Sequence, residues 1–171
     1  VNKISTWGDE AKERQAAINL IDTYNCGVIG QHCDSAQPQI AAQEKGVFGC
    51  GYNSDMTVQA PDAHLTAPIW NWDVYYKLAI ETAMNTPDEF MSKVGIYYGG
   101  LKEGLVDISP LSDNCAEGTK EIIDEVKAMM VNGEWDVFTN VKLSIAQDGT
   151  ITKTEGALLD NQGNEVISAD G

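Results

Sequence analysis

The chain has 171 residues, 43% of them hydrophobic, which suits one domain with a sizeable core. Eleven Lys and Arg against 26 Asp and Glu give a formal net charge of −15, and a surface this acidic repels phosphate backbones and anionic lipid. Neither a nucleic-acid binder nor a peripheral membrane protein is therefore expected, and no apolar run approaches the roughly 20 residues that span a bilayer. Because the first residue is Val and no signal peptide is visible, we expect a processed, trimmed or partial chain.

The first 55 residues predict alternating strands and helices. Strands are predicted at residues 1–7, 26–32 and 47–53, with helices between them. Asp9 can cap the first helix, and Pro38 suits the first turn of the second, which is predicted over residues 36–45. Short connections between such elements are typical of right-handed crossovers onto a parallel sheet.

The remainder continues this pattern and then becomes β-rich. We predict strands at residues 64–67 and 93–100, an extended stretch at 101–111, and a helix at 73–84. A further helix, capped by Asp113 or Asn114, is predicted to run to residue 131. Residues 135–145 and 151–159 could pair as a hairpin across residues 147–149. Residues 160–171 read as a turn and a frayed tail. The predicted fold class is α/β, a mainly parallel sheet flanked by helices with a β-rich C-terminal tail.

Polar residues follow the predicted strands of the first 55 residues. In parallel sheets, ligands bind beyond the carboxyl ends of the strands. Those ends are residues 7–9, 32–35 and 53–55, and all three carry polar groups. This coincidence is the first indication of a binding site.

Aromatic residues cluster at the same predicted edge. Trp7, Trp70 and Trp72, three of the four tryptophans, lie at strand ends or helix starts. An indole beside a carboxylate suits a flat ligand that donates hydrogen bonds, such as a purine, and Asp34 and Asp55 are the candidate acceptors. The alternative interpretation is that each Trp packs against a helix and each Asp caps one.

The sequence carries no recognisable catalytic or metal-binding motif. His32, Cys33, Asp34 and His64 have the spacing of no closed zinc site, so no metal, cofactor or enzymatic activity is expected. The four cysteines suit buried or strand-end thiols, although a Cys33–Cys50 bridge stays open. Their number does not decide the redox compartment.

Five segments, in order, resemble the basic membrane protein (BMP) family of substrate-binding lipoproteins of ABC importers, which are related to the purine nucleoside receptors. The segments are residues 6–13 (TWGDEAKE), 31–35 (QHCDS), 51–56 (GYNSDM), 64–72 (HLTAPIWNW) and 98–107 (YGGLKEGLVD). The similarity covers residues 1 to about 135.

The resemblance implies a type I periplasmic-binding-protein-like fold, in which two α/β lobes close on a ligand. Residues 1–135 would form the second lobe and residues 136–171 its β-rich extension. The first lobe would precede residue 1, and the isolated chain would bind weakly.

The resemblance also assigns candidate ligand-binding residues. Trp7 matches the aromatic position that stacks on the base, and Asp55 matches the acidic position that holds ribose hydroxyls in nucleoside-binding members. Asp34 and Ser35 match the loop that approaches the ligand. Trp70 departs from the family pattern, because nucleoside-binding members usually carry Lys there. Replacing the Lys ammonium group by an indole removes a hydrogen-bond donor for the sugar. This change favours a free purine base, or another flat heterocycle, over a nucleoside as the ligand.

Gly8 and Glu10 also depart from the aromatic-Asp-Pro form of the first segment. The implied function is a non-catalytic, extracytoplasmic solute-binding component of an ABC importer. Its partners would be a purine-like small molecule and an ABC permease, and a lipid on the preceding N-terminal part would be its sole membrane attachment. The alternative is a ligand-sensing module of a signalling system that uses the same fold.

Overall fold

The computed structural model describes residues 1–160 and 162–168, which form helices and short strands. They fall into two separately packed units, Val1–Cys115 and Ala116–Gly171. The elements of the first unit are α1 (Glu10–Tyr24), β1 (Val28–Gly30), α2 (Gln37–Glu44), β2 (Phe48–Cys50), β3 (Pro68–Trp70), α3 (Trp72–Asn85), a 3-10 turn (Pro87–Glu89), α4 (Phe90–Lys93) and β4 (Val106–Ile108). Those of the second are α5 (Thr119–Val131), β5 (Val141–Ile145), β6 (Ile151–Glu155), β7 (Leu158–Leu159) and β8 (Glu165–Ile167).

Local signals place the first two helices where they were predicted. The Asp9 carboxylate accepts from the backbone N–H of Lys12 and so caps α1, which confirms the predicted start. Pro38 lies in the first turn of α2, where its missing N–H leaves no intrahelical bond unmade. Gly46, at φ 68°, follows the end of α2 in the left-handed conformation that glycine adopts at little cost.

The core of the first unit consists of small residues. Helices α1 and α2 pack against each other and against the strands β1 and β2. The buried apolar cluster contains two isoleucines and five alanines: Ala17, Ile21, Ile29, Ala41, Ala42, Ala60 and Ala63. Alanines at these positions allow the helices to approach the strands closely.

Parallel pairing is more limited than the sequence predicted. β1 pairs in parallel with β2, and isolated parallel bridges join Gly49 to His64 and Asn53 to Ile69. β3 and β4 are antiparallel. The described residues therefore form an α/β arrangement without a continuous parallel sheet, because three-residue strands leave little backbone to pair.

Three predicted strands are wrong. Residues 64–67 carry an isolated bridge at His64, and the strand of this region is β3, Pro68–Trp70, instead. Residues 93–100 do not form a strand: Lys93 ends α4, and an irregular segment follows. The predicted first strand, at residues 1–7, is irregular as well. Neither Asp113 nor Asn114 caps α5, whose N-cap is Gly118, because Asn114 instead donates to the backbone oxygens of Pro61 and His64.

The second unit confirms the predicted hairpin. β5 and β6 are antiparallel, with Ile145 opposite Ile151 across the turn. β7 pairs with β8, so part of the predicted frayed tail is a strand. Residues 161 and 169–171 of that tail lie outside the described residues.

The buried side chain of Gln39 bridges β1 and β2. Its Nε2 donates to the backbone oxygen of Cys50 at 2.8 Å and to that of Ile29 at 3.4 Å. A Cβ atom at Gly49 would lie 2.1 Å from Gln39 Oε1. Position 49 must therefore be glycine for this amide to reach both strands.

Substituting Gly49 by alanine should lower the free energy of unfolding by about 1–3 kcal/mol, because the added methyl group displaces the buried Gln39 amide. Urea denaturation measures the change. Gly30→Ala is the matched control, since a Cβ there meets nothing within 4 Å and should shift stability by less than about 0.5 kcal/mol. Equal effects of the two substitutions would contradict the role given to Gln39.

Candidate functional site

Three strand ends of the first unit bring polar and aromatic side chains together. Residues 32–35 follow β1, residues 52–55 follow β2, and Trp70 ends β3. Because β1 and β2 run parallel, their carboxyl ends meet at one edge. The bridge between Asn53 and Ile69 places the end of β3 beside the segment that follows β2.

Asn53 links two of the predicted site residues. Its Oδ1 accepts from Trp70 Nε1 at 2.6 Å, and its Nδ2 donates to Asp34 Oδ1 at 3.4 Å. Asn53 has φ 66°, a left-handed conformation that Asn tolerates better than most residues. The amide therefore fixes the indole of Trp70 relative to the carboxylate of Asp34. The sequence prediction noted Asn53 as a polar strand end but did not assign it to the site.

An aromatic group lies along the same edge. His32 meets Trp7 edge to face, with ring centroids 5.9 Å apart and an interplanar angle of 75°. It also meets Tyr52 edge to face at 4.2 Å. Trp7 is 69% exposed, so its ring is not part of the core. The sequence prediction noted His32 at a polar strand end but did not assign it, or Tyr52, to the ligand site, because their ring contacts join separate segments and leave no local pattern.

A cavity of about 460 Å³ adjoins this aromatic group. It is lined by the segment Val1–Trp7 together with His32 and Cys33. Pockets for small ligands commonly have volumes of about 300–1,000 Å³. The cavity is thus large enough for a heterocycle beside the Trp7 ring.

Ser35 takes part in the scaffold through its hydroxyl group. Its Oγ donates to Glu13 Oε2 and accepts from the backbone N–H of Gln37 at 3.2 Å. Glu13 is fully buried in α1, and its Oε1 accepts from the backbone N–H of Asp9 at 2.9 Å. One buried carboxylate thereby holds the segment after Trp7 and the loop that contains Asp34 and Ser35.

Asp55 lies beside a buried imidazole. Its Oδ1 accepts from the backbone N–H and the Oγ1 of Thr57, at 2.8 and 2.6 Å. These hydrogen bonds lower the pKa of the carboxyl group. His64 is 0% exposed, with Nε2 3.5 Å from the same Oδ1. Burial lowers the pKa of His64, and the attraction of Asp55 opposes that shift only in part.

The contacts therefore connect the five predicted site residues to different degrees. Asp34 and Trp70 are joined through Asn53, and Trp7 contacts the loop before Asp34 through His32. The side chains of Ser35 and Asp55 bond within the protein to Glu13 and Thr57 instead.

The structure distinguishes between free cysteine thiols and a Cys33–Cys50 disulfide. All four are free thiols, so the Cys33–Cys50 bridge is not formed. Burial raises the pKa of the Cys33 and Cys50 thiols, which favours the unreactive form. Within residues 1–160 and 162–168, no group of three or more His, Cys, Asp or Glu side chains could hold a metal ion.

Lowering the pH from 7 to 5 should reduce the stability of the protein through His64. Its pKa in the folded protein lies below the ordinary 6.5, so the unfolded chain binds more protons in this range and stability falls as the pH drops below that value. Denaturation at a series of pH values measures this slope. His64→Gln should flatten it, whereas His32→Gln leaves His64 intact and should retain it. An unchanged slope in His64→Gln would contradict the assignment.

An α/β unit whose strand ends carry exposed aromatic and carboxylate groups is the arrangement expected of a ligand-binding protein. Residues 1–137 match the family described as ABC transporter substrate-binding protein, PnrA-like, and the chain belongs to this family. That family comprises extracytoplasmic substrate-binding proteins. No helix in the described part of the chain is long and apolar enough to cross a membrane.

Two curated relatives match nearly the whole chain. A purine-binding protein of Brucella abortus is 34% identical over 160 residues, which are 93% of this chain and 43% of the relative. A putative ABC transporter glucose-binding protein of Haloferax volcanii is 26% identical over 168 residues, which are 98% of this chain and 42% of the relative. The chain thus spans less than half the length of these relatives.

A solved structure supports the fold alone. The crystal structure of a transcriptional activator of the comK gene from Bacillus halodurans aligns with a TM-score of 0.66 at 16% identity. The alignment covers 80% of this chain and 47% of that one.

Proposed function

We propose that this chain is one lobe of a substrate-binding protein that binds a purine base, or a related flat heterocycle, for an ABC permease. The observation that carries the proposal is the exposed Trp7 ring at the strand-end edge, beside His32 and a 460 Å³ cavity. An indole that is free on one face offers a stacking surface for an aromatic ring. The purine-binding relative supports this ligand class.

Each candidate residue has a distinct role in this proposal. Trp7 stacks on the heterocycle, and Asp34 accepts from its exocyclic amine or ring N–H. Ser35 and Asp55 approach the ligand from their loops, and Trp70 fills the space beside it. Residues 1–135 belong to the binding lobe and residues 136–171 extend it.

The hydrogen bond of the Trp70 indole supports a preference for purine bases over nucleosides. Its single N–H already donates to Asn53 at 2.6 Å, so the side chain has no other donor for a sugar hydroxyl. The indole is 39% exposed and occupies volume at the same edge. A ribose would meet an aromatic ring there rather than a hydrogen-bond donor.

The proposal also covers where the protein works. It would act outside the cytoplasm, held to the membrane by a lipid anchor on sequence beyond this chain, and would pass its ligand to the permease. The alternative, a sensory module with the same fold, is not favoured, since the matching family is named for transport and both curated relatives for ligand binding.

A thermal-shift scan tests the ligand class on the parent protein expressed from its complete gene. Adenine at about 100 times its dissociation constant should add roughly 2.7 kcal/mol, a shift of several degrees. Adenosine and glucose serve as comparison ligands. A shift with glucose alone would overturn the purine proposal and favour the chemistry named for the Haloferax relative.

Trp7→Ala should weaken adenine binding by about 5- to 150-fold, because stacking on an aromatic side chain contributes about 1–3 kcal/mol. Isothermal titration calorimetry measures the dissociation constants. Trp7→Phe keeps an aromatic face and should retain most of the affinity. Unchanged adenine binding by Trp7→Ala would exclude Trp7 as the stacking residue.

Trp70→Lys should shift the preference towards adenosine, because the ammonium group supplies the donor that the indole has committed to Asn53. The measured quantity is the ratio of the adenine and adenosine dissociation constants. Trp72→Lys is the matched control, since Trp72 is also exposed but makes no hydrogen bond to Asn53 in the described part of the chain. If wild-type protein already prefers adenosine, the base-preference argument fails while the family assignment stands.

A further inference from the structure

The imidazole of His64 is buried without the hydrogen bonds that such a group normally makes. The residue is 0% exposed, and neither Nδ1 nor Nε2 has a hydrogen-bond partner within the described part of the chain. A buried polar atom without a hydrogen-bond partner lowers the stability of the fold, so an imidazole at this position calls for an explanation.

The position of His64 is fixed by its backbone. Its N–H donates to the oxygen of Ala60 at 2.9 Å, and its own oxygen accepts from Ser112 Oγ and from Asn114 Nδ2. The ring lies in a close-packed space, because a Cβ at Gly51 would come within 3.3 Å of His64 Cε1. The backbone of His64 is therefore fixed, and its closely packed ring nitrogens have no hydrogen-bond partner in the described part of the chain.

Asp55 is the polar group beside this ring. Nε2 lies 3.5 Å from Asp55 Oδ1, and no hydrogen bond joins them at that distance. The same oxygen accepts two hydrogen bonds from Thr57, whereas Oδ2 has no protein partner in the described residues. The side chain of Asp55 is 46% exposed. One oxygen thus belongs to the scaffold and the other faces no protein donor.

We propose that His64 is the positioning residue for Asp55, donating its Nε2–H to Oδ1 when ligand binds so that Oδ2 is presented to the ligand. The inference rests on the proposed function, in which Asp55 contacts the ligand. A shift of a few tenths of an ångström converts the present 3.5 Å separation into a hydrogen bond. The neutral imidazole carries one N–H, and the neighbouring carboxylate favours its placement on Nε2.

Two variants of the parent protein test this role by calorimetry with adenine and adenosine. His64→Leu removes the donor at similar bulk and should weaken binding of whichever purine contacts Asp55 by about tenfold. His64→Gln places an N–H near the former Nε2 and should restore affinity to within about threefold of wild type. If His64 acted only by packing, His64→Gln would not bind more tightly than His64→Leu.

A double-mutant cycle with Asp55→Asn separates positioning from general damage. If His64 acts through Asp55, His64→Leu should cause no further loss in the Asp55→Asn background. The same tenfold loss in both backgrounds, or wild-type affinity in His64→Leu, would overturn the proposal. Thermal unfolding of each variant confirms that folded protein is compared.

A ligand-free measurement keeps the inference testable if no purine binds or His64→Leu fails to fold. Long-range ¹H–¹⁵N NMR of the histidine rings, assigned by comparison with His64→Gln, reports which nitrogen carries the proton. We expect the Nε2–H form in wild type, with Nε2 signals that change in Asp55→Asn. The Nδ1–H form would overturn the positioning role, whereas absence of purine binding with the Nε2–H form present would count against the proposed function alone.

Discussion

The buried amide of Gln39 holds together the two strands beyond whose ends the candidate site is built. It reaches from α2 to the backbone oxygens of Ile29 and Cys50, one on each strand of the parallel pair. Only a glycine at position 49 leaves room for it, because a Cβ there would overlap the amide oxygen. With β1 and β2 three residues long, this side chain fixes their relative position where few ladder hydrogen bonds can.

Because β1 and β2 are fixed relative to each other, the loops that follow them start from fixed positions. The loop after β1 carries Asp34, and the segment after β2 carries Asn53. The side-chain amide of Asn53 bonds to both the Asp34 carboxylate and the Trp70 indole. Glu13 performs a similar task from α1, binding Ser35 with one oxygen and the backbone of Asp9 with the other. Buried polar groups of the helices thus orient exposed groups of the loops, which is how a rigid scaffold usually positions a binding site.

Local chemistry explains which features the sequence could predict. The cap at Asp9, the proline in the first turn of α2 and the turn between β5 and β6 depend on neighbouring residues, and each was found as predicted. Residues 93–100 have the apolar composition of a strand but no neighbouring strand pairs with them. The cap of α5 was misassigned because Asn114 bonds to Pro61, more than fifty residues away. The same holds for the site: its polar strand ends were visible in the sequence, whereas the contacts of His32 and Asn53 depend on tertiary structure.

The exposure of Trp7 sets a physical limit on what one lobe can do. Ligand pockets bury about 70–90% of the surface of a small ligand, and most of the hydrophobic free energy comes from that burial. A heterocycle stacked on the indole of Trp7, which is 69% exposed, would have one face covered and the other in water. Under the proposed function, tight binding therefore needs a second surface against the opposite face of the ring. Under the proposed function, this chain would supply the stacking surface and the carboxylates, and closure of an opposing surface would exclude water and strengthen each hydrogen bond that Asp34 and Asp55 accept.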